Sequence, residues 1–130
     1  SLVDIFPEAG SDSFLQLEEQ YLKKASKYIF IAPEYNGSIP GILKLLIDEA
    51  DWKSCWKNKK AMLVGVSTGR AGNLRGMDHL ASILHHMHIQ VLPFMLPLSK
   101  VNDILDEEGN ILDPSTMKSI DQQVKSFIEF

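Results

Sequence analysis

Pro33-Glu34-Tyr35-Asn36-Gly37-Ser38-Ile39-Pro40-Gly41 is the stretch on which the reading of this chain turns. The apolar run Tyr28-Ile29-Phe30-Ile31-Ala32 leads into it. Beyond it, Ile39, Ile42, Leu43, Leu46, Ile47 and Ala50 recur at the i, i+3, i+4, i+7, i+8 spacing of one helix face. The order strand, polar loop, helix is where open α/β sheets bind their ligands. We therefore expect residues 33–41 to hold the working site.

The rest of the chain agrees with one α/β domain over residues 1–130. Ala61-Met62-Leu63-Val64-Gly65-Val66 is continuously apolar, as a strand covered on both faces should be. It delivers a second small polar loop, Ser67-Thr68-Gly69-Arg70-Ala71-Gly72-Asn73. The spacing of Leu74, Met77, Ala81, Leu84 and His88 predicts a helix over residues 74–88. A last strand is expected at residues 89–96, with Pro93 placing it at an edge or a bend. Asp113 should cap a final helix opening at Pro114, its inner face Met117, Ile120, Val124, Phe127 and Ile128.

Toward the start, Ser1-Leu2-Val3-Asp4-Ile5-Phe6 reads as the tail of a strand. Turn residues from Gly10 lead to a helix over residues 13–27, with Ser13 and Gln16 as a capping box and Phe14, Leu17, Tyr21, Ala25 and Tyr28 inward. Ser38 is the expected cap of the helix after the first loop, with Pro40 in its first turn. Residues 51–60 read as a polar connection with two tryptophans, and residues 102–112 as an excursion turning at Glu108-Gly109-Asn110. Alternating buried strands and amphipathic helices imply a parallel sheet with helices on both sides.

Composition sets outer bounds. The net charge is −4, which offers no basic patch for nucleic acid and no cationic helix for a membrane surface. No apolar run approaches the roughly 20 residues that cross a bilayer. The single cysteine, Cys55, excludes an internal disulfide and fits a reducing, cytoplasmic setting.

The first loop has the chemistry to hold a flat, weakly polar ring. Backbone N–H groups of Glu34, Tyr35, Asn36 and Gly37 would form a cradle, with Ser38 at a helix N-terminus. The same residues also serve a plain strand-to-helix connection, with Asn36-Gly37 as the turn and Ser38 as the cap. The residues alone leave both readings open.

Together, residues 33–41 with Leu43-Lys44 and Ile47-Asp48 resemble the NAD(P)H-dependent FMN reductase family, which includes quinone, chromate and azo-dye reductases. Ser67-Thr68-Gly69-Arg70-Ala71-Gly72-Asn73-Leu74-Arg75 resembles that family's glycine-rich loop, and the likeness continues to the last helix, through the acidic Asp106-Glu107-Glu108-Gly109 turn. The resemblance implies a flavodoxin-like three-layer sandwich. It also implies that Pro33, Glu34, Tyr35, Asn36, Gly37 and Ser38 hold the flavin ring, with Ser67, Thr68 and Gly69 approaching from the neighbouring loop. The implied chemistry is hydride transfer from NADPH or NADH to flavin N5, then to a flavin, quinone or similar small-molecule acceptor. It needs no catalytic side chain and no metal, because the flavin carries the redox chemistry. Homodimers or homotetramers are implied as well.

Two departures stand out. The family's first strand and its Gly-Ser-x-Arg-x-x-Ser loop, which wraps the FMN phosphate, have no counterpart here. In the flavodoxin order 2-1-3-4-5 that strand lies beside residues 28–32, and its loss leaves an unpaired apolar edge. We expect an incomplete chain, lacking an N-terminal βα unit of roughly 40 residues; a natural short form covering the edge by another route is the alternative. Secondly, Glu49-Ala50-Asp51 intervenes before Trp52, where the family has tryptophan directly after Ile-Asp, so no flavin contact is assigned to Trp52.

The remaining candidates are weaker. His79, His85, His86 and His88 suit a surface or subunit contact better than a metal site. Arg70 and Arg75 suit a nucleotide phosphate or acidic partners at a dimer contact. Cys55, between two tryptophans, reads as packing. The leading function is an FMN-dependent NAD(P)H oxidoreductase. The alternatives are an electron carrier without nicotinamide turnover, or a relic of the family acting as an interaction domain.

Overall fold

The spine of the fold is a parallel pair of strands. In the computed structural model, which describes residues 12–130, β1 (Lys27–Pro33) and β2 (Lys60–Val66) run in register from Lys27↔Lys60 to Pro33↔Val66. Ala61, Met62, Leu63 and Val64 are all buried, as a continuous apolar run requires. The other edge of β2 is taken by two short strands, β3 (Gln90–Val91) beside Lys60 and Ala61, and β4 (Leu96–Leu98) beside Val64 to Val66. The single strand expected at residues 89–96 is thus broken and carried on to Leu98. Pro93, which has no N–H to donate to a ladder, lies in the gap.

Helices cover both faces. α1 (Asp12–Leu17), α2 (Gly41–Glu49), α3 (Leu74–His86), the short α4 (Val101–Ile104) and α5 (Pro114–Glu129) complete the described chain. On one face Phe30, Ala32, Ala61 and Leu63 pack with Ile47 of α2 and Met77, Leu80 and Leu84 of α3. On the other, Met62, Val64 and Leu92 pack with Phe127 of α5. This is a three-layer α/β sandwich. β1 ends the sheet, and its outer edge has no strand partner among the described residues. By register Ile29 and Ile31 share the face of Met62 and Val64, yet they stand 55% and 67% exposed.

Several local expectations shift. The expected strand tail at residues 1–6 and the turn at Gly10 lie outside the described residues. α1 already contains Asp12 and Ser13, so Ser13 is not its cap. It continues as a π-helical turn over Glu18–Leu22, which rotates the inward face. Leu17 and Tyr21 are exposed, and Glu18 is buried instead. Its carboxylate accepts the Asp51 N–H at 2.7 Å and lies 3.5 Å from the Cys55 thiol.

Within residues 51–60, expected to be a polar connection, Cys55 and Trp56 join the core while Asp51, Lys53, Lys57 and Asn58 stay exposed. A second π-helical turn, Trp52–Trp56, starts at Asp51, whose carboxylate accepts the Ser54 N–H at 2.9 Å. Cys55 and Trp56 are fully enclosed, the Trp56 indole donates to the Ile47 carbonyl, and burial pushes the Cys55 thiol up. The cysteine is packing. α5 is also rolled from its expected phase. Gln123 points inward and donates to the Leu63 and Phe94 carbonyls at 2.9 and 2.8 Å, while Met117, Val124 and Ile128 are exposed. Asp113 caps α5 as expected, accepting the Thr116 N–H at 2.8 Å.

Candidate functional site

β1 and β2 end level, at Pro33 and Val66, so the loops that follow leave the sheet side by side. The Glu34 N–H donates to the Val66 carbonyl at 2.8 Å and ties them at the root. The first loop is a miniature hairpin: Tyr35 and Ser38 exchange both backbone hydrogen bonds, at 3.0 and 3.1 Å. Asn36 and Gly37 between them have φ of 52° and 76°, the left-handed pair that Asn-Gly supplies in two-residue turns. Ser38 is therefore not the cap of α2. That position falls to Pro40, and the Ser38 hydroxyl lies 2.9 Å from Nδ1 of His79 on α3.

The second loop is pressed onto the sheet. A Cβ on Gly65 would fall 2.2 Å from the Gly72 carbonyl oxygen, and one on Gly72 would fall 2.6 Å from Pro97. The loop can lie this low only because neither residue has a side chain. Ser67 organises it from within, its hydroxyl accepting the Gly72 N–H at 2.9 Å and donating to the Gly69 carbonyl at 3.0 Å. The Gly69 carbonyl also accepts from Lys100 N–H, and that of Ser67 from Val101 N–H, which fixes the loop to the segment after β4.

Between the loops lies a cleft of about 280 Å³ lined by Glu34, Asn36, Gly37, Ser67, Thr68, Gly69, Arg70 and Ala71. Among the described residues, the N–H groups of Asn36, Gly37, Thr68, Gly69, Arg70 and Ala71 find no protein acceptor. All six residues line the cleft. Fixed, unspent backbone donors of this kind suit the carbonyl and ring-nitrogen edge of a planar heterocycle. Glu34 and Arg70 bring one charge of each sign, so the lining favours neither anions nor cations strongly.

Of the nine residues expected at the site, six meet in this cleft: Glu34, Asn36, Gly37, Ser67, Thr68 and Gly69. Pro33 is the last residue of β1, Tyr35 projects a 60% exposed ring, and Ser38 turns to His79. Ser67 contributes chiefly as the internal brace of its loop. Ala71 and Asn73 lie beyond the residues expected at the site. Asn73 is fully buried, sits at φ 57° before α3, and donates its side-chain amide to the Ala32 carbonyl at 3.0 Å. Its place directly before a helical pattern was the available signal. His79 was visible only as one of four histidines; His88 packs edge-on against Trp52. Among the described residues no three His, Cys, Asp or Glu side chains converge as metal ligands.

Comparison with known proteins follows the same lines. The sequence profile of the NADPH-dependent FMN reductase family matches residues 7–103, a span containing both loops. An NAD(P)H-dependent FMN reductase of Pseudomonas aeruginosa is 31% identical over 82% of this chain, which spans 60% of that protein's length. A quinone reductase of Escherichia coli is 28% identical over 98% of this chain and 70% of its own. Among solved structures, the flavoenzyme NAD(P)H:(acceptor) oxidoreductase of Paracoccus denitrificans superposes with a TM-score of 0.80 at 23% identity, covering 98% of this chain and 74% of that one. That likeness shows a shared fold.

Proposed function

The chain belongs to the NADPH-dependent FMN reductase family, with its flavodoxin-like architecture, and from that premise we propose that it is an NAD(P)H-dependent FMN oxidoreductase. Its proposed overall reaction consumes NAD(P)H, a proton and a quinone or flavin, and yields NAD(P)⁺ and the two-electron-reduced acceptor. One observation carries the reading: six residues with unspent backbone N–H groups line the cleft between two loops that the fold sets side by side.

The residues present fit the ring of the cofactor. Asn36 and Gly37 on one side, and Thr68, Gly69, Arg70 and Ala71 on the other, would hold its polar edge. Glu34 supplies a cleft-lining carboxylate, and Pro33, Tyr35 and Ser38 complete the turn that flanks it. When bound, FMN supplies the two-electron redox chemistry. The protein's part is to hold the ring edge with donors that need no rearrangement, and to leave one side open to nicotinamide and acceptor. No side chain is assigned proton transfer.

The quinone class of acceptor is supported by the relatives' names. Among the described residues no helix is long and apolar enough to cross a membrane. A single domain, a cytoplasmic setting and a homodimer or homotetramer belong to the same proposal.

The test is optical. The purified chain with FMN should show a bound-flavin spectrum that bleaches on anaerobic addition of NADPH or NADH and recovers on addition of a benzoquinone. A yellow protein indifferent to both nucleotides would replace the enzyme with a carrier. A colourless protein that takes up no FMN would overturn the reading for this chain.

A further inference from the structure

We infer that His79, acting through Ser38, is a positioning residue that fixes the turn at residues 35–38 against the second loop. The inference rests on the reading of the cleft as a flavin site. A two-residue hairpin held by its own pair of backbone bonds is marginal in water, so the turn needs an external anchor. α3 supplies it. The Ser38 hydroxyl and His79 Nδ1 are 2.9 Å apart. One helical turn earlier, the Arg75 guanidinium lies over Gly37, where a Cβ would come 3.0 Å from its Nη1. Residues four apart on a helix share a face, so both side chains reach the same turn.

α3 starts directly after the second loop, at Leu74. The helix that continues one wall of the cleft thereby grips the other. The contact also uses Ser38 in an unexpected way. α2 begins without any side-chain cap, although a serine lies three residues before its first residue, Gly41, and that hydroxyl is given to the histidine. Because a hydroxyl both donates and accepts, the bond forms with either tautomer of the imidazole and with its protonated form.

The experiment is a titration of FMN into the wild-type chain and into His79→Ala, Ser38→Ala, the double variant and His79→Asn. Asparagine places a polar atom where Nδ1 stood. Each alanine variant should weaken FMN binding roughly three- to tenfold, the range of one net hydrogen bond. The double variant should lose no more than either single one. His79→Asn should restore both affinity and the bound-flavin absorbance maxima, with thermal midpoints unmoved throughout. Equal affinity in wild type and His79→Ala, or multiplicative losses in the double variant, would overturn the inference and leave the flavin site standing. If the wild type takes up no FMN, the site reading fails, and the tie is judged separately by amide exchange at Tyr35 and Ser38. Faster exchange in His79→Ala then supports the anchor, and equal exchange removes it.

Discussion

The side-chain amide of Asn73 donates to the main-chain carbonyl of Ala32 at 3.0 Å, joining the first residue before α3 to the strand that feeds the other loop. Asn73 is fully buried and holds φ 57°, a conformation asparagine tolerates and most residues resist. One residue thus satisfies a backbone constraint and links the two walls of the cleft.

Replacing it separates those roles. Asn73→Gly loses the donor but keeps the backbone freedom. Asn73→Ala loses both, and should destabilise the fold by about 2–3 kcal/mol, roughly 1 kcal/mol more than glycine does. Urea unfolding of the two variants gives the comparison. An alanine variant as stable as the glycine variant would contradict the strained backbone.

The seat of the second loop makes a prediction of its own. At Gly65 an added methyl meets the Gly72 backbone and the Met77 side chain, so Gly65→Ala should cost about 1–3 kcal/mol by overpacking. Gly41, at the start of α2, meets nothing within 4 Å. Gly41→Ala should therefore stabilise by about 0.4–1 kcal/mol through the unfolded chain. Equilibrium unfolding should give the two substitutions opposite signs.

Asp113 sets an acid limit on α5. The Ser115 hydroxyl, the Thr116 hydroxyl and the Thr116 N–H hold its carboxyl down to about 2. A folded-state value below the unfolded one, about 3.9, means the stabilisation is complete above that unfolded value and is lost as pH falls through the folded one. Asp113→Ala should lower the melting midpoint by roughly 3–6 °C at neutral pH. The gap from wild type should narrow below about pH 4 and close near about pH 2. Asp113→Asn, which keeps a capping oxygen but does not titrate, should stay at a pH-independent offset above Asp113→Ala, so that its gap from wild type also changes over the same pH range. Midpoints recorded across that range decide it.

What the sequence disclosed and what it withheld divide along physical lines. β2 was plain because six consecutive residues, Ala61 to Val66, are apolar or small enough for a strand covered on both faces, and its partner β1 and the loops beyond both followed from pattern. The three-layer order followed too. Glu18 and Gln123 were missed because polar residues were assigned outward; each is buried against partners remote in sequence, Asp51 and Cys55 for one, the Leu63 and Phe94 carbonyls for the other. The Ser38–His79 contact spans 41 positions and leaves no local spacing to read. The break between β3 and β4 was half legible, since Pro93 announced a bend without revealing that the chain resumes pairing at Leu96.

The most direct test of the account is a map of FMN binding by backbone amide chemical shifts of the labelled chain. The account predicts saturable shifts concentrated at Glu34, Asn36, Gly37, Thr68, Gly69, Arg70 and Ala71. Shifts elsewhere, or none at saturating FMN, would contradict the claim that the cleft between these two loops is the flavin site.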